Sequence, residues 1–399
     1  MNLSERIVVA GGSLAGLRSI EAMRREGYAG EIVALCAEAY LPYDRPPLSK
    51  QFLKGAWDED KLALRRQGVE DLEVDWRLGR AAASLDVRSR RVKLADGGSV
   101  EYGGLLIATG SRARALPGSE DLARVHVLRG LDDARALRAE IGAGARLVVI
   151  GAGFIGMEVA ASARELGADV TVVEALEAPL LRGLGRTLGD VVGQRFRDHG
   201  VTLHCGASVS GFEGDAHFVA VELADGTRLE ADVVVVGIGV VPACDWLADS
   251  GLDISNGVRC DATGATGLPD IVAAGDVARW HNPLLGRAVR YEHWTSAVEQ
   301  STVAAARLID SESVEPLVQV PYVWSDQFEM RIAIVGEVAD ADKMHVCHGA
   351  LDEERFLALF GRRGKLIGAV GMKRPRPLGA CQEGIARGVS FEDAVKANA

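Results

Sequence analysis

A Gly-rich turn in the middle of the chain has the residue types and spacing of a dinucleotide-binding site. Gly151-Ala152-Gly153-Phe154-Ile155-Gly156 follows an apolar run and precedes an Ala-rich stretch. The first glycine permits a tight turn, the second lets the backbone approach a pyrophosphate, and the third lets a helix pack closely on a strand. The helix N-terminus adds unpaired N–H groups and the positive end of a dipole. We therefore expect Gly151, Gly153, Ile155 and Gly156 to bind a cofactor; the alternative is a packing turn without a ligand.

Glu174 is placed to select the nicotinamide cofactor. It follows the apolar run at 170–173, where a carboxylate accepts hydrogen bonds from a ribose 2′-hydroxyl. The same carboxylate would face the 2′-phosphate of NADP, and like charges a few ångströms apart cost about 1–4 kcal/mol at surface-like dielectric. Residues 175–179 hold no arginine or lysine to offset this repulsion. The sequence therefore predicts NADH, with a solvated glutamate as the alternative.

A second turn of this kind lies near the N-terminus. Gly11 and Gly16 occupy the first and third glycine positions, whereas Ser13 occupies the second. Because serine adds only a small side chain, close approach of a pyrophosphate is still expected. Glu38, just beyond the next apolar run, is the candidate ribose carboxylate. We therefore expect a second dinucleotide site here, with a packing turn as the alternative.

Two further apolar runs end where a parallel sheet would bind ligands. One is followed by Thr109 and Gly110, and the other by Gly275 and Asp276. We expect Asp276 to hold a ribityl hydroxyl of a flavin. The alternatives are simple strand-terminating turns, with Asp276 as the N-cap of a helix.

Gly-rich turns of this kind must lie between a strand and a helix, so strands and helices should alternate along the chain. Strand-length apolar runs and Ala-rich helical stretches do alternate, which is typical of an α/β fold with a largely parallel sheet. The order strand, Gly-rich turn, helix, strand occurs at Gly11 and again at Gly151, which indicates two Rossmann-like domains. A third region begins near Ser313. Within it, the apolar runs at 356–360 and 365–370 flank a Gly-Arg-Arg-Gly turn. This arrangement predicts an antiparallel hairpin.

Composition argues against several classes of protein. The chain has 399 residues, is 48% hydrophobic and 25% charged, and carries a net charge of −11. Such values are typical of a folded chain of two to three domains. The net acidity argues against nucleic-acid binding over the whole surface. Uncharged apolar stretches all fall short of the roughly 18 residues that a membrane helix needs.

The cysteines and histidines predict neither a disulfide framework nor a metal site. No CxxC pattern occurs among the six cysteines, and Cys36 lies within a predicted strand, where we expect it to pack in the core. His345-Val346-Cys347-His348 fits no standard tetrahedral ligand set. The N-terminal residues carry no signal-peptide core, so a reducing cytoplasm is the expected location.

Several motifs together resemble one known family. The most specific is residues 41–50, Leu-Pro-Tyr-Asp-Arg-Pro-Pro-Leu-Ser-Lys. With Ala108-Thr109-Gly110, Gly151 to Glu158, Ala274-Gly275-Asp276 and Trp324-Ser325-Asp326-Gln327, the chain resembles the FAD-dependent pyridine-nucleotide oxidoreductases over essentially its whole length. Among them it is similar to the NADH-dependent ferredoxin reductases of bacterial oxygenase systems.

This resemblance implies a domain organisation and an FAD site. The implied fold is like that of glutathione reductase: an FAD-binding domain at 1–112 and 238–313, an NAD-binding domain at 113–237, and a C-terminal α+β interface domain at 314–399. Gly239 is a further candidate cofactor-binding residue. The residues that the resemblance places against FAD are Ala15, Glu38, Arg45, Lys50, Ala82, Arg129, Asp276 and Trp294.

The resemblance also implies how electrons move. It places Lys50 near the flavin and pairs it with Glu158, and we expect this pair to orient the nicotinamide and to stabilise the charge of the reduced flavin. The alternative is an ordinary, partly buried ion pair. Since residues 41–50 contain no cysteine, we expect electrons to leave from the flavin itself, which can accept a pair and release it singly.

A basic segment near the C-terminus is a candidate docking site for the ferredoxin that the resemblance implies. No acidic residue lies between Arg355 and Gln382. We expect an acidic iron–sulfur ferredoxin, of the 2Fe-2S type, to dock there; the alternative is a solvated charged hairpin. The basic residues proposed for docking are Arg362, Arg363, Lys365, Lys373, Arg374 and Arg376.

The predicted activity is therefore the transfer of electrons from NADH through FAD to a ferredoxin that serves an oxygenase. Within enzymes, the alternatives are a rubredoxin reductase and an NADH oxidase. The alternative of a different class is a flavin-bearing signalling or nucleic-acid-binding protein.

Overall fold

The structure, a computed structural model, describes residues 6–119, 121–215, 219–310 and 312–398. Residues 1–5, which belong to the segment without a signal-peptide core, lie outside these ranges. The helices of the described chain are α1 (Leu14–Arg25), α2 (Leu131–Glu140), α3 (Phe154–Glu165), α4 (Leu181–Asp198), α5 (Trp294–Ile309), α6 (Arg376–Ala386) and α7 (Phe391–Ala397).

Short strands make up most of the remaining regular structure. In chain order they are β1 (Ile7–Ala10), β2 (Ile32–Leu35), β3 (Val74–Arg77), β4 (Ala82–Asp86), β5 (Arg91–Leu94), β6 (Ser99–Glu101), β7 (Gly104–Ile107), β8 (Ser111–Ala113), β9 (Val125–Val127), β10 (Arg146–Ile150), β11 (Asp169–Glu174), β12 (Thr202–Cys205), β13 (Val209–Gly214), β14 (Val219–Leu223), β15 (Arg228–Ala231), β16 (Val233–Val236), β17 (Val240–Pro242), β18 (Val258–Cys260), β19 (Ile271–Ala273), β20 (Ala278–Asn282), β21 (Arg287–Val289), β22 (Tyr322–Gln327), β23 (Met330–Gly336), β24 (Lys343–His348), β25 (Phe356–Arg362) and β26 (Lys365–Met372).

The chain divides into two compact units, each built from three segments. The first unit comprises Met1–Asp44, Ala63–Arg112 and Val241–Pro321. The second comprises Arg45–Leu62, Ala113–Val240 and Tyr322–Ala399. Residues 45–62 therefore group with the second unit. The three-domain division expected from the sequence stays a prediction.

A parallel sheet forms the centre of the first unit. Its strand order is β19-β7-β1-β2-β3, and every neighbouring pair runs parallel. All residues of β1, β2 and β7 are buried, which explains why these strands are continuous apolar runs rather than alternating ones. The sequence order reverses between β1 and β7, and ligands of such sheets bind at this point, beyond the carboxyl ends of the strands.

The second unit repeats this plan and adds an antiparallel sheet. The parallel sheet has the order β12-β11-β10-β16-β9, and its order reverses between β10 and β16. The antiparallel sheet has the order β22-β23-β26-β25-β24. Its β25 and β26 pair Arg362 with Lys365, which confirms the hairpin, with Arg363 and Gly364 at the turn. The fold class predicted from the sequence is confirmed: two Rossmann-like sheets and a C-terminal α+β region.

Local signals also fixed helix ends. The sequence after the N-terminal turn predicts a helix from about Leu14 to Arg25 that stops at Gly27. α1 covers these residues, and Gly27 follows its C-terminus with a φ of +84°. Ser390 caps α7, because its Oγ accepts a hydrogen bond from the Asp393 N–H at 3.1 Å. None of the helices in the described ranges is both long and apolar enough to cross a membrane.

Candidate functional site

The first and third glycines of both turns are required by contacts and backbone angles within the protein, and not by a ligand. A Cβ on Gly16 would lie 1.9 Å from the carbonyl oxygen of Gly11, and a Cβ on Gly156 would lie 2.0 Å from that of Gly151. Gly11 and Gly151 both have a positive φ, +124° and +103°, which disfavours any other residue. In each turn the third glycine lets the helix start against the strand that precedes it, as the sequence predicts.

The second glycine position is different. A Cβ on Gly153 would meet no protein atom closer than the Gly237 oxygen, at 3.9 Å, and Gly153 has an extended backbone with φ −75°. Ser13 occupies the same place at the N-cap of α1, also with an extended backbone. Protein packing therefore permits a side chain here, and a glycine is needed only where a ligand approaches the backbone.

Glu174 is held beside the second turn. Its carboxylate accepts hydrogen bonds from the N–H of Ala152 at 2.6 Å and from the N–H of Leu176 at 2.8 Å. These contacts fix the carboxylate at the end of β11, next to the turn at the end of β10. Ile155 is exposed in the first turn of α3, at 39% of its surface, and Gly239 follows β16 with a φ of +104°.

The strand ends of the first unit bring other candidates together. A Cβ on Gly11 would lie 2.1 Å from the carbonyl oxygen of Ala108, so the N-terminal turn touches the end of β7. Thr109 donates a hydrogen bond through Oγ1 to the carbonyl oxygen of Ala243 at 2.7 Å, and the carbonyl oxygen of Gly110 accepts one from the Ala243 N–H. A Cβ on Gly275 would lie 2.9 Å from the Cβ of Ala15.

Asp276 does not cap a helix. The element after it is β20, and its carboxylate accepts a hydrogen bond from Ser111 Oγ at 2.8 Å. The alternative of an N-cap is therefore wrong. The carboxylate lies at the carboxyl side of β19, where a parallel sheet presents ligand-binding groups.

The motif at residues 41–50 makes contacts in both units. In the first, Tyr43 donates a hydrogen bond to the Glu38 carboxylate at 2.5 Å, and Trp294 donates through Nε1 to Asp44 at 2.9 Å. Ala82 opens β4 and is partly buried against the core of this unit.

In the second unit, Arg45 donates a hydrogen bond to the carbonyl oxygen of Arg129 at 2.7 Å, so these two candidates lie together. Pro46 and Pro47 begin a short 3-10 helix that ends at Ser49, and Lys50 follows it. The Lys50 ammonium pairs with the Glu158 carboxylate at 2.9 Å, with both side chains less than one-tenth exposed.

Sequence reasoning assigned no role to three polar residues around this pair. Ser49 and Ser325 each donate a hydrogen bond to Glu158, and Gln327 donates one to Ser325. The signal available for the last two was their alternation in β22, where polar residues two apart share one face of a strand. Tyr43 and Ser111, which hold Glu38 and Asp276, were also missed, since nothing local marks them.

Burial raises the pKa of all six cysteine thiols. All six cysteines are free, and burial beside Glu38 raises the pKa of Cys36 to about 12. The core role expected for Cys36 is confirmed, since only 2% of it is exposed. No group of three or more possible metal ligands occurs among the described residues, those around His345 included.

His293 was not predicted from the sequence. It forms the N-cap of α5, and its Nδ1 is buried without a hydrogen-bond partner in the described structure. Burial lowers the pKa of His293 to about 4, although the negative charge of Asp276 acts in the opposite direction. The imidazole is therefore neutral at physiological pH.

The basic segment is partly neutralised by residues outside it. Arg362 pairs with Asp340 at 3.2 Å and Lys373 with Glu354 at 2.8 Å. Arg363, Lys365 and Arg376 are exposed and have no ion pair within the described structure. Arg374 is partly buried, with its Nε lacking a hydrogen-bond partner there. The free positive charge is thus concentrated at the hairpin turn and at the start of α6.

Family comparisons cover nearly the whole chain. Residues 5–301 match the family described as pyridine nucleotide-disulphide oxidoreductase. Residues 322–399 match the family described as reductase C-terminal. The second match begins at the first residue of β22, so the antiparallel sheet, α6 and α7 belong to it.

Individual relatives are similar over the same length. The ferredoxin–NAD(+) reductase component of the anthranilate 1,2-dioxygenase system of Burkholderia cepacia is 36% identical over 96% of this chain and 95% of its own. The corresponding component of the biphenyl dioxygenase system of Paraburkholderia xenovorans is 39% identical over 84% and 81%. The covalent putidaredoxin reductase–putidaredoxin complex contains a chain of similar structure, with a TM-score of 0.93, 30% identity and coverage of 99% and 98%.

Proposed function

Because the chain belongs to the pyridine nucleotide-disulphide oxidoreductase family, we propose that it is an NADH:ferredoxin reductase that passes electrons from NADH through FAD to an iron–sulfur ferredoxin serving an oxygenase. One observation carries this choice within the family: two dinucleotide turns, each at a point of order reversal, accompany six cysteines that are all unpaired thiols. A disulphide reductase of this family would need a cysteine pair at residues 41–50, where none is present. The electrons must therefore leave to a separate acceptor.

The residues of each turn fit the cofactors. Gly11 and Gly16 form a turn that a Cβ would fill, and the N-terminus of α1 directs its free N–H groups there. In the second unit Gly151, Gly156 and the fixed carboxylate of Glu174 suit NADH, since Glu174 would accept the ribose hydroxyls and repel a 2′-phosphate. Bound FAD would accept the hydride of NADH and supply electrons singly to a one-electron acceptor.

Within this proposal the residues of the chain bind and orient the cofactors. Arg45, Arg129 and Trp294 would hold FAD, and Asp276 would bind a sugar hydroxyl of it. Lys50 and Glu158 would orient the nicotinamide, and the Lys50 ammonium, which is buried and held by the Glu158 carboxylate, would stabilise the negative charge of the reduced flavin. The exposed residues Arg363 and Lys365 at the hairpin turn and Arg376 at the start of α6 would attract an acidic ferredoxin.

We also propose that the protein works in the cytoplasm. The supporting observation is that all six cysteines are free thiols, as expected of a chain kept under reducing conditions.

The experiment is a visible spectrum of the purified protein, followed by NADH. We expect flavin bands that NADH bleaches more readily than NADPH, and then NADH-dependent reduction of an added 2Fe-2S ferredoxin. Parallel reactions with rubredoxin, or with oxygen as the only acceptor, measure the two alternative activities. A colourless protein that stays free of FAD when FAD is supplied would show the proposal to be wrong.

A further inference from the structure

A closed group of polar side chains surrounds Glu158 in the second unit. Its Oε1 accepts hydrogen bonds from Lys50 Nζ at 2.9 Å and from Ser325 Oγ at 2.7 Å, while Oε2 accepts one from Ser49 Oγ at 2.5 Å. All these residues are nearly inaccessible to solvent: Ser325 is fully buried, and Ser49, Glu158 and Lys50 are 4%, 5% and 7% exposed. A buried carboxylate needs such donors, because burial removes the water that would otherwise solvate it.

The direction of the Ser325 hydrogen bond is fixed by a fifth residue. A serine hydroxyl has one hydrogen to donate and two lone pairs that accept. Gln327 donates through Nε2 to Ser325 Oγ at 3.0 Å, which occupies an acceptor position of that oxygen. Because a carboxylate can only accept, the Ser325 hydrogen points to Glu158, and the Gln327 N–H group supports this orientation. Gln327 is itself fully buried, so water cannot replace it.

The strand β22 sets this geometry from a distant part of the sequence. Ser325 and Gln327 are two residues apart and thus share one face of the strand, which packs against α3, the helix that carries Glu158. β22 pairs in register with β23, with Ser325 opposite Ile332 and Gln327 opposite Met330, so both side chains are fixed by the sheet. A fixed strand face therefore presents one donor to one oxygen of Glu158.

We propose that Ser325, oriented by Gln327, is a positioning residue that locks the Glu158 carboxylate in the rotation in which it pairs with Lys50. This inference rests on the role proposed above for the Lys50–Glu158 pair. Ser325 and Ser49 hold different oxygens, so the carboxylate cannot rotate while both bonds exist. Without Ser325, Oε1 is held only by the ammonium of a flexible lysine side chain.

Three substitutions in the FAD-loaded protein test this. Ser325→Ala removes the donor. Gln327→Glu has nearly the same shape but replaces the N–H donor with a carboxylate, which draws the Ser325 hydrogen away from Glu158. Gln327→Met is of similar length and cannot draw it away. Ser19→Ala is the matched control, because Ser19 is equally buried and donates a hydrogen bond to a backbone carbonyl in the first unit.

We expect Ser325→Ala and Gln327→Glu to lower the limiting rate constant of FAD reduction by NADH about tenfold, as the loss of one hydrogen bond to a charged group would. The KM for NADH should change less than twofold, since these residues position Glu158 and do not bind the adenosine end. Gln327→Met should lower the rate constant less than threefold, and Ser19→Ala should leave it unchanged.

A second readout does not depend on turnover. The infrared carboxylate band of Glu158, assigned by its loss in Glu158→Gln, should shift in Ser325→Ala and in Gln327→Glu and should stay in place in Ser19→Ala. A wild-type rate constant or an unshifted band in folded, FAD-loaded Ser325→Ala would overturn the inference. Failure of the wild-type protein to be reduced by NADH would instead overturn the proposed function, and this inference with it.

Discussion

Lys50 and Glu158 lie in different thirds of the sequence, yet their side chains meet in a buried ion pair at 2.9 Å. A second lysine offers a direct comparison, because Lys54 pairs with Glu165 of the same helix at 2.7 Å with both side chains about one-third exposed. The two pairs differ mainly in burial, and burial determines how much stability the protein loses when one partner of a pair is removed.

Lys50→Met should therefore slow FAD reduction by NADH and also destabilise the protein. Removal of Lys50 leaves the buried charge of Glu158 without its cation, which costs about 3–5 kcal/mol in the free energy of unfolding. Lys54→Met should cost less than about 1 kcal/mol and leave the rate unchanged. Stopped-flow reduction and denaturant unfolding measure the two effects. Equal rates for wild type and Lys50→Met would remove Lys50 from its proposed role.

Glu174→Gln should weaken the preference for NADH. The substitution keeps the size of the side chain and removes the charge that would repel a 2′-phosphate, a repulsion of about 1–4 kcal/mol. The ratio of kcat/KM for NADH to that for NADPH should fall about tenfold. Glu177→Gln is the control, because Glu177 lies three residues after Glu174, is exposed and pairs with Arg186. A ratio unchanged in Glu174→Gln would speak against ribose recognition by Glu174.

Substitutions in the second turn should affect folding and ligand binding separately. Gly153→Asp should leave the free energy of unfolding within about 1 kcal/mol of wild type, since aspartate is a good N-cap. It should raise the KM for NADH more than tenfold, because a negative charge would face the pyrophosphate. Gly153→Ser copies Ser13 and should have little effect on either quantity. Gly156→Ala should destabilise the fold by about 3 kcal/mol, since its Cβ would overlap the Gly151 carbonyl oxygen. A normal KM in Gly153→Asp would contradict a pyrophosphate at this turn.

Ferredoxin docking should depend on the free charges at the hairpin turn. Reversal of Arg363 and Lys365 to Glu should raise the KM for ferredoxin at least tenfold at low salt and leave reduction of a small dye unchanged. Reversal of Arg362 should have a smaller effect, because Asp340 already neutralises it. Arg88→Glu with Lys93→Glu makes the same change in net charge on exposed residues of the first unit and serves as the control. Loss of dye reduction to the same extent would argue against docking at this face.

His293 should contribute a pH-dependent term to stability. Its folded-state pKa, about 4, lies below the ordinary value of 6.5, so the unfolded chain binds a proton that the folded chain does not. Stability is then fully present above pH 6.5 and is lost as the pH falls from 6.5 to 4, by about 2–3 kcal/mol. The free energy of unfolding of His293→Gln, measured over this range, should decline less than that of wild type. Parallel curves for the two proteins would mean that His293 titrates normally.

The sequence by itself determined the structural features that depend on residues close together along the chain. The Gly-rich turns, α1, the β25–β26 hairpin and the Ser390 cap all follow from residues a few positions apart, since turns, caps and buried strands are set by local geometry and apolar runs. The family resemblance extended this to the whole fold.

Apart from the Lys50–Glu158 pair, which the family resemblance implied, only the tertiary structure decided which distant polar groups meet. It placed Ser325 against Glu158 and Gln327 against Ser325, set Ser111 on Asp276, and brought Asp340 and Glu354 to a segment that contains no acid of its own. The reason is physical: a hydrogen bond or ion pair depends on distances of about 3 Å, and packing of separate elements sets these distances where the spacing of residues along the chain does not.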